Sequence, residues 1–186
     1  MQTLIEQLDQ AASDKKQELK TAIFNWLSQF DHALTHSVTF TINPVIFHAI
    51  DRYGKNPKML TSAQKIDMIK SNFNFFVQRV NTCVFGNASY RYGKTLLIIP
   101  VIEGQYQDGK LHFHCAVGVP ADRLDGIEKK ILHAWRATPL AGFMNQVNTY
   151  QNSGWLSYIS KQAMYLNRES IAWDQVKIPL DVLTRC

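Results

Sequence analysis

The chain has 186 residues, of which 46% are hydrophobic and 19% charged. That length and composition fit one globular domain and exclude a disordered or fibrous chain. With 20 Lys+Arg against 15 Asp+Glu, the net charge of +5 permits a polyanionic partner without demanding one.

No run of 18 apolar residues is present, and the first 20 residues are rich in Gln, Asp, Lys and Glu. The expectation is a soluble, cytoplasmic protein with no membrane span and no secretory signal. Cys83, Cys115 and Cys186 are scattered and odd in number, which fits a reduced compartment better than a disulfide framework or a zinc knuckle.

In chain order, Leu4, Ile5, Leu8, Leu19, Ile23, Trp26, Leu27 and Phe30 recur at helical spacing and predict helix over 3–30. The polar stretch 14–20 is a candidate break into two helices. Over 36–42, Val38, Phe40 and Ile42 alternate with Ser37, Thr39 and Thr41, the pattern of a half-buried strand stopped by Asn43-Pro44. Residues 45–53 are ambiguous, and 54–57 read as a loop. Thr61 followed by Gln64 is a capping-box signature ahead of Ile66, Ile69, Phe73, Phe76, Val77 and Val80.

Residues 86–93 read as a loop, and strands are expected over 95–103 and 111–119. Asp108-Gly109 between them is a strong hairpin signal. Asp122 is the expected cap of a helix running to Trp135. A strand over 143–150, a helix over 154–166 and a short, loosely attached tail complete the chain. Strands grouped around a hairpin, without regular βαβ alternation, predict an α+β fold with a central antiparallel sheet flanked by helices. The expected organisation is an N-terminal helical segment (1–34) packed on a core domain (35–170), with a tail (171–186). No Gly-rich phosphate loop of the Walker type occurs.

His112-Phe113-His114 lies in the second hairpin strand, and alternation puts both imidazoles on one face with Phe113 on the other. If Asp108 and Gly109 are the turn, Gln105 lies opposite His112 and Glu103 opposite His114, about 4.5–5.5 Å apart at Cβ. Glu103, His112 and His114 then form a candidate site for Mg²⁺ or Mn²⁺, with Gln105 as reserve ligand. A His-apolar-His triplet by itself also fits ordinary strand residues paired with Glu103 and Gln105. Farther on, Tyr158 and Lys161 fall at i, i+3 on the predicted helix 154–166. A cation beside a phenol suits a tyrosine nucleophile, and an isolated pair of this kind also fits a boundary Tyr with a solvated Lys.

Strand 36–42, Glu103 ahead of His112-Phe113-His114, and Tyr158-Ile159-Ser160-Lys161 on a helix come in a characteristic order. In that order the chain resembles the HUH endonucleases, and within them the single-tyrosine replication initiators of rolling-circle plasmids and of single-stranded DNA viruses and phages. The resemblance covers residues 36–166. It implies a nickase and strand transferase in which His112, His114 and Glu103 hold the metal and Tyr158 forms a 5′-phosphotyrosine, assisted by Lys161. It also implies a single-stranded or origin-hairpin DNA partner and a separate helicase. Conjugative relaxases of that superfamily carry the tyrosine before the histidine pair, unlike this chain. The related small single-strand transposases share the order here but usually carry Gln where Lys161 stands. A non-catalytic single-strand nucleic-acid binding module is the alternative of a different class.

Arg52-Tyr53-Gly54-Lys55 recurs as Arg91-Tyr92-Gly93-Lys94. Cations and an aromatic around a Gly suit a loop that holds a phosphate backbone and stacks a base, and equally suit ordinary turns. Arg52, Lys55, Arg91, Tyr92 and Lys94 are therefore candidate DNA contacts, with Lys110 at the hairpin mouth. Tyr165, one heptad beyond Tyr158, is an alternative nucleophile or a packing residue. His32, His48 and His133 read as structural or exposed.

Overall fold

The computed structural model describes residues 4–46, 60–104, 111–165 and 171–183. Its helices are α1 (Leu4–Ser28), α2 (Ser62–Phe85), α3 (Ala88–Tyr92), α4 (Ile127–Arg136), α5 (Gly154–Tyr165) and α6 (Leu180–Leu183). Its strands are β1 (His36–Thr41), β2 (Leu97–Glu103), β3 (His112–Gly118) and β4 (Gln146–Thr149). They form one antiparallel sheet in the order β2-β3-β1-β4, so the fold is α+β with helices on both faces.

Alternation sorts the strand residues between two cores. Val38, Phe40, Ile98, Ile102, Phe113 and Cys115 meet α2 and α4 on one face. Phe40 stacks on Trp135 at 4.4 Å, and Phe73 lies 4.4 Å from Phe113. On the other face Leu97, Ile99, Val101 and Ala116 meet Ile23 and Leu27 of α1 and Leu156 and Ile159 of α5. Burying each of these Val, Leu, Ile and Phe side chains stabilises by about 1.5–3 kcal/mol, which makes both helix layers integral to the fold.

Several expectations are corrected. Residues 14–20 do not break α1, since their charges lie on an exposed helix surface and Gln10 Nε2 donates to Asp14 Oδ1 at 2.8 Å. Part of 86–93 is helical, forming α3. Asp122 is not a helix cap, because its carboxylate pairs with Arg123 Nε at 3.1 Å inside a 3-10 turn, and α4 starts only at Ile127. The strand expected from 143 begins at 146. Thr41 captures the preceding segment: Gly142 N donates to Thr41 O, Met144 N donates to Thr41 Oγ1, and Asn145 Oδ1 accepts from Thr41 N. The tail is not loose where described. Ile171 bridges Val101, Lys177 bridges Ile98, Trp173 packs against Trp26 and Asp174 pairs with Lys70.

Other expectations hold. Thr61 Oγ1 accepts from Gln64 N while Gln64 Oε1 accepts from Thr61 N, a complete capping box. Residues 47–59, which carry the ambiguous stretch, the following loop, His48 and the first Arg-Tyr-Gly-Lys, lie outside the described residues.

Candidate metal centre and tyrosine

The site sits at one end of the face that α1 and α5 cover. Glu103 is the last residue of β2, directly followed by Gly104 at φ 87, a left-handed conformation that strains any other residue. In β3, Glu103 pairs with His112 and Val101 pairs with His114. This corrects the expected register, in which Glu103 faced His114 and Gln105 faced His112. The chain therefore does not pair as a two-residue Asp108-Gly109 turn requires, and Gln105 is not the residue opposite His112. Gln105 and Lys110 themselves lie outside the described residues.

The displacement of two residues keeps every side chain on its face. Glu103 Oε2 lies 2.9 Å from His112 Nε2 and 2.6 Å from His114 Nε2. The ligand atoms of all three residues fall within 4.8 Å of one another. On the far side of His114, Thr39 Oγ1 lies 3.1 Å from Nδ1. A hydroxyl can donate or accept, so Thr39 holds the ring in place whichever nitrogen carries the proton. Burial first, and the neighbouring His112 ring second, hold His114 below its ordinary pKa, while the Glu103 carboxylate opposes them. A lowered pKa favours the neutral imidazole that metal ligation needs. Two imidazole nitrogens and one carboxylate oxygen, with Nδ1 of His114 engaged behind, are a donor set that fits a divalent cation with open positions.

Helix α5 carries Tyr158 to this cluster. Leu156, Ile159 and Ser160 are buried beneath it, which leaves Tyr158 on the outer side, 40% exposed. Its hydroxyl lies 3.4 Å from both Glu103 Oε2 and His114 Nε2. Trp155, one turn earlier, stacks on the Tyr158 ring at 5.5 Å and 20°, and its Nε1 donates to Cys115 O at 3.3 Å. Comparisons with protein-family models, curated proteins and solved structures find no match to this chain. The residues of the site therefore stand on their own chemistry.

The tertiary structure brings together four of the expected residues, Glu103, His112, His114 and Tyr158. Lys161 lies on α5 one turn beyond Tyr158, and Tyr165 ends that helix. Arg91, Tyr92 and Lys94 are exposed and precede β2, while Glu103 ends it. At ~3.3 Å per residue the two ends of β2 are about 20 Å apart, so this loop is not part of the candidate metal centre. Arg52 and Lys55 lie outside the described residues.

Two residues escaped sequence reasoning. Thr39 was visible as the polar half of the β1 alternation, but its partnership with His114 depends on β1 lying beside β3. Trp155 was visible as an i−3 neighbour of Tyr158. Among the described residues no helix is long and apolar enough to cross a membrane.

Proposed function

We propose that this protein is a metal-dependent, site-specific nickase and strand transferase for single-stranded DNA that initiates rolling-circle replication of a plasmid, phage or mobile element. The observation that carries the reading is the Tyr158 hydroxyl, 3.4 Å from two members of a His-His-Glu cluster. His112, His114 and Glu103 would hold Mg²⁺ or Mn²⁺, which supplies Lewis-acid polarisation of a phosphodiester oxygen.

The chain's own residues do the rest. Tyr158 Oη attacks phosphorus, one P–O bond forms to the phenol, and the bond to the 3′ oxygen breaks. The released 3′ oxygen takes up a proton and becomes a 3′-OH that primes synthesis. Glu103 Oε2 is an acceptor within reach of the phenol's proton. The 5′ end stays on Tyr158 as a phosphotyrosine, so one ester replaces another and a later 3′-OH can reseal the strand without a nucleotide cofactor. Trp155 and the His114 ring flank the phenol ring, which limits the reorientation needed for in-line attack.

The test is a covalent adduct on a denaturing gel after incubation with a pool of random single strands and Mn²⁺. Wild type is expected to form it, chelator to abolish it, and Tyr158→Phe to reduce it below detection while retaining metal binding. Tyr165→Phe should still form the adduct. No adduct from wild type with any strand in the pool would refute the reading in favour of a non-catalytic binding module.

A further inference from the structure

A groove of about 820 Å³ adjoins Tyr158 and follows β4. Ser37 of β1, Asn148 of β4, Gln151 and Asn152 of the connection, and Trp155 and Tyr158 of α5 line it. β4 is an edge strand, and Asn148 pairs with Ser37. Alternation along β1 puts Ser37 on the face of Thr39 and His114. Asn152 Oδ1 accepts from Gly154 N at 2.9 Å, tying the start of α5 to this groove.

Composition decides what the groove takes. Among the described residues its lining includes no Lys or Arg and one carboxylate, Glu128. Among the described lining residues a phosphate entering here would meet no cation and one like charge, which disfavours it. Asn148 and Gln151 are exposed side-chain amides, each with paired donors and acceptor. Such amides read the edges of bases. The Trp155 indole supplies an aromatic wall, and its volume range is that of sites enclosing small organic groups. A neutral heterocycle with a hydrogen-bonding edge fits all of these features.

We infer that this groove is a nucleobase subsite that takes an unpaired base adjoining the phosphate attacked by Tyr158, with Asn148 and Gln151 reading its edge and so selecting the sequence that is cut. The identity of that phosphate rests on the nicking reading, whereas the choice of a base over a phosphate rests on the lining alone. The groove touches Tyr158 directly, so a strand whose phosphate reaches the phenol has a neighbouring base within reach of it.

The experiment is sequencing of the strands attached to protein after incubation of a random single-strand pool with wild type, Asn148→Ala and Gln151→Ala. Both side chains are exposed, and thermal melting of each variant checks that it folds. Wild type is expected to prefer particular bases at one or two positions beside the attached phosphate. Each substitution should weaken that preference about 5- to 100-fold, the size of a good amide–base pair. An unchanged preference in both variants overturns the subsite, as does a wild type with no preference there.

Failure of the nicking reading shows itself separately, as no adduct from wild type. Fluorescently labelled homopolymer strands, titrated into the three proteins in chelator, then decide. A base preference in wild type that either substitution removes upholds the subsite, and equal base preferences in all three proteins overturn it.

Discussion

At the scale of single residues, the candidate metal centre has a supporting group behind one of its proposed ligands. Thr39 Oγ1 meets Nδ1 of His114 and thereby aims Nε2 at Glu103. Thr39→Val keeps the shape and removes the hydroxyl. It should lower Mn²⁺ affinity about 10–100-fold by calorimetric titration, the usual cost of losing such a partner. Wild-type affinity in that variant would show that Thr39 does not support the centre.

His36 sets a pH dependence. It is buried, with Nδ1 2.9 Å from Thr35 Oγ1, and burial lowers its pKa from the ordinary 6.5 while Glu128 pulls it partly back. The unfolded chain therefore binds the proton more readily than the folded one. Stability is complete above about pH 6.5 and is lost as pH falls through the lower folded value. His114 shifts in the same direction. Melting temperatures of the metal-free protein should fall between pH 7.5 and 5, and His36→Asn should fall less. An identical fall in the variant would remove His36 from the account.

At the scale of elements, the period of a strand explains why the His-His-Glu cluster is legible in the sequence although the hairpin register is not. The expected and observed registers differ by two residues, and two is the side-chain repeat, so Glu103 remained on the histidine face. A slip of one would have sent it into the core beside Phe113. Asp108-Gly109 is only a local signal, whereas pairing is decided along the whole of β2, β3 and β1.

β1 in turn is fixed by the 141–145 segment. A Cβ on Gly142 would collide with Thr41 Oγ1 and lie 2.7 Å from Thr41 O. Gly142→Ala should destabilise the fold by about 1–3 kcal/mol in denaturant unfolding, through forced displacement of Thr41. Because Thr41 pairs with His112, metal affinity should drop as well. Wild-type values of both quantities would mean that this segment yields without cost. Phe143 and Met144 beside it are 90% and 81% exposed, a feature that periodicity had assigned to a strand.

At the scale of the whole molecule, the Arg91–Lys94 loop and the His-His-Glu cluster occupy opposite ends of β2. Arg91 and Lys94 stand at the start of β2, opposite the end that carries Glu103. If a single strand reaches that far, these cations meet phosphates remote from the tyrosine. Lys94→Ala should then reduce the slope of log affinity against log salt by about 1, read from anisotropy titrations at several salt concentrations. An unaltered slope would return the loop to ordinary turn chemistry.

The sequence by itself determined the strand faces, the capping box, the two histidines on one side and a tyrosine on a later helix. These follow from periods of 2 and 3.6 and from local hydrogen bonding, which act over a few residues. Only the tertiary structure decided that β1 lies between β3 and β4, that Thr39 backs His114, and that α1 holds α5 so that Tyr158 meets Glu103. It also decided that residues 171–177 run along the outer edge of β2, bridging it at Val101 and Ile98, instead of trailing from the sheet. The reason is physical: those arrangements rest on apolar surfaces brought together from distant parts of the chain. Burial is non-directional, so a pattern read along the chain shows that a face must be covered and leaves open which element covers it.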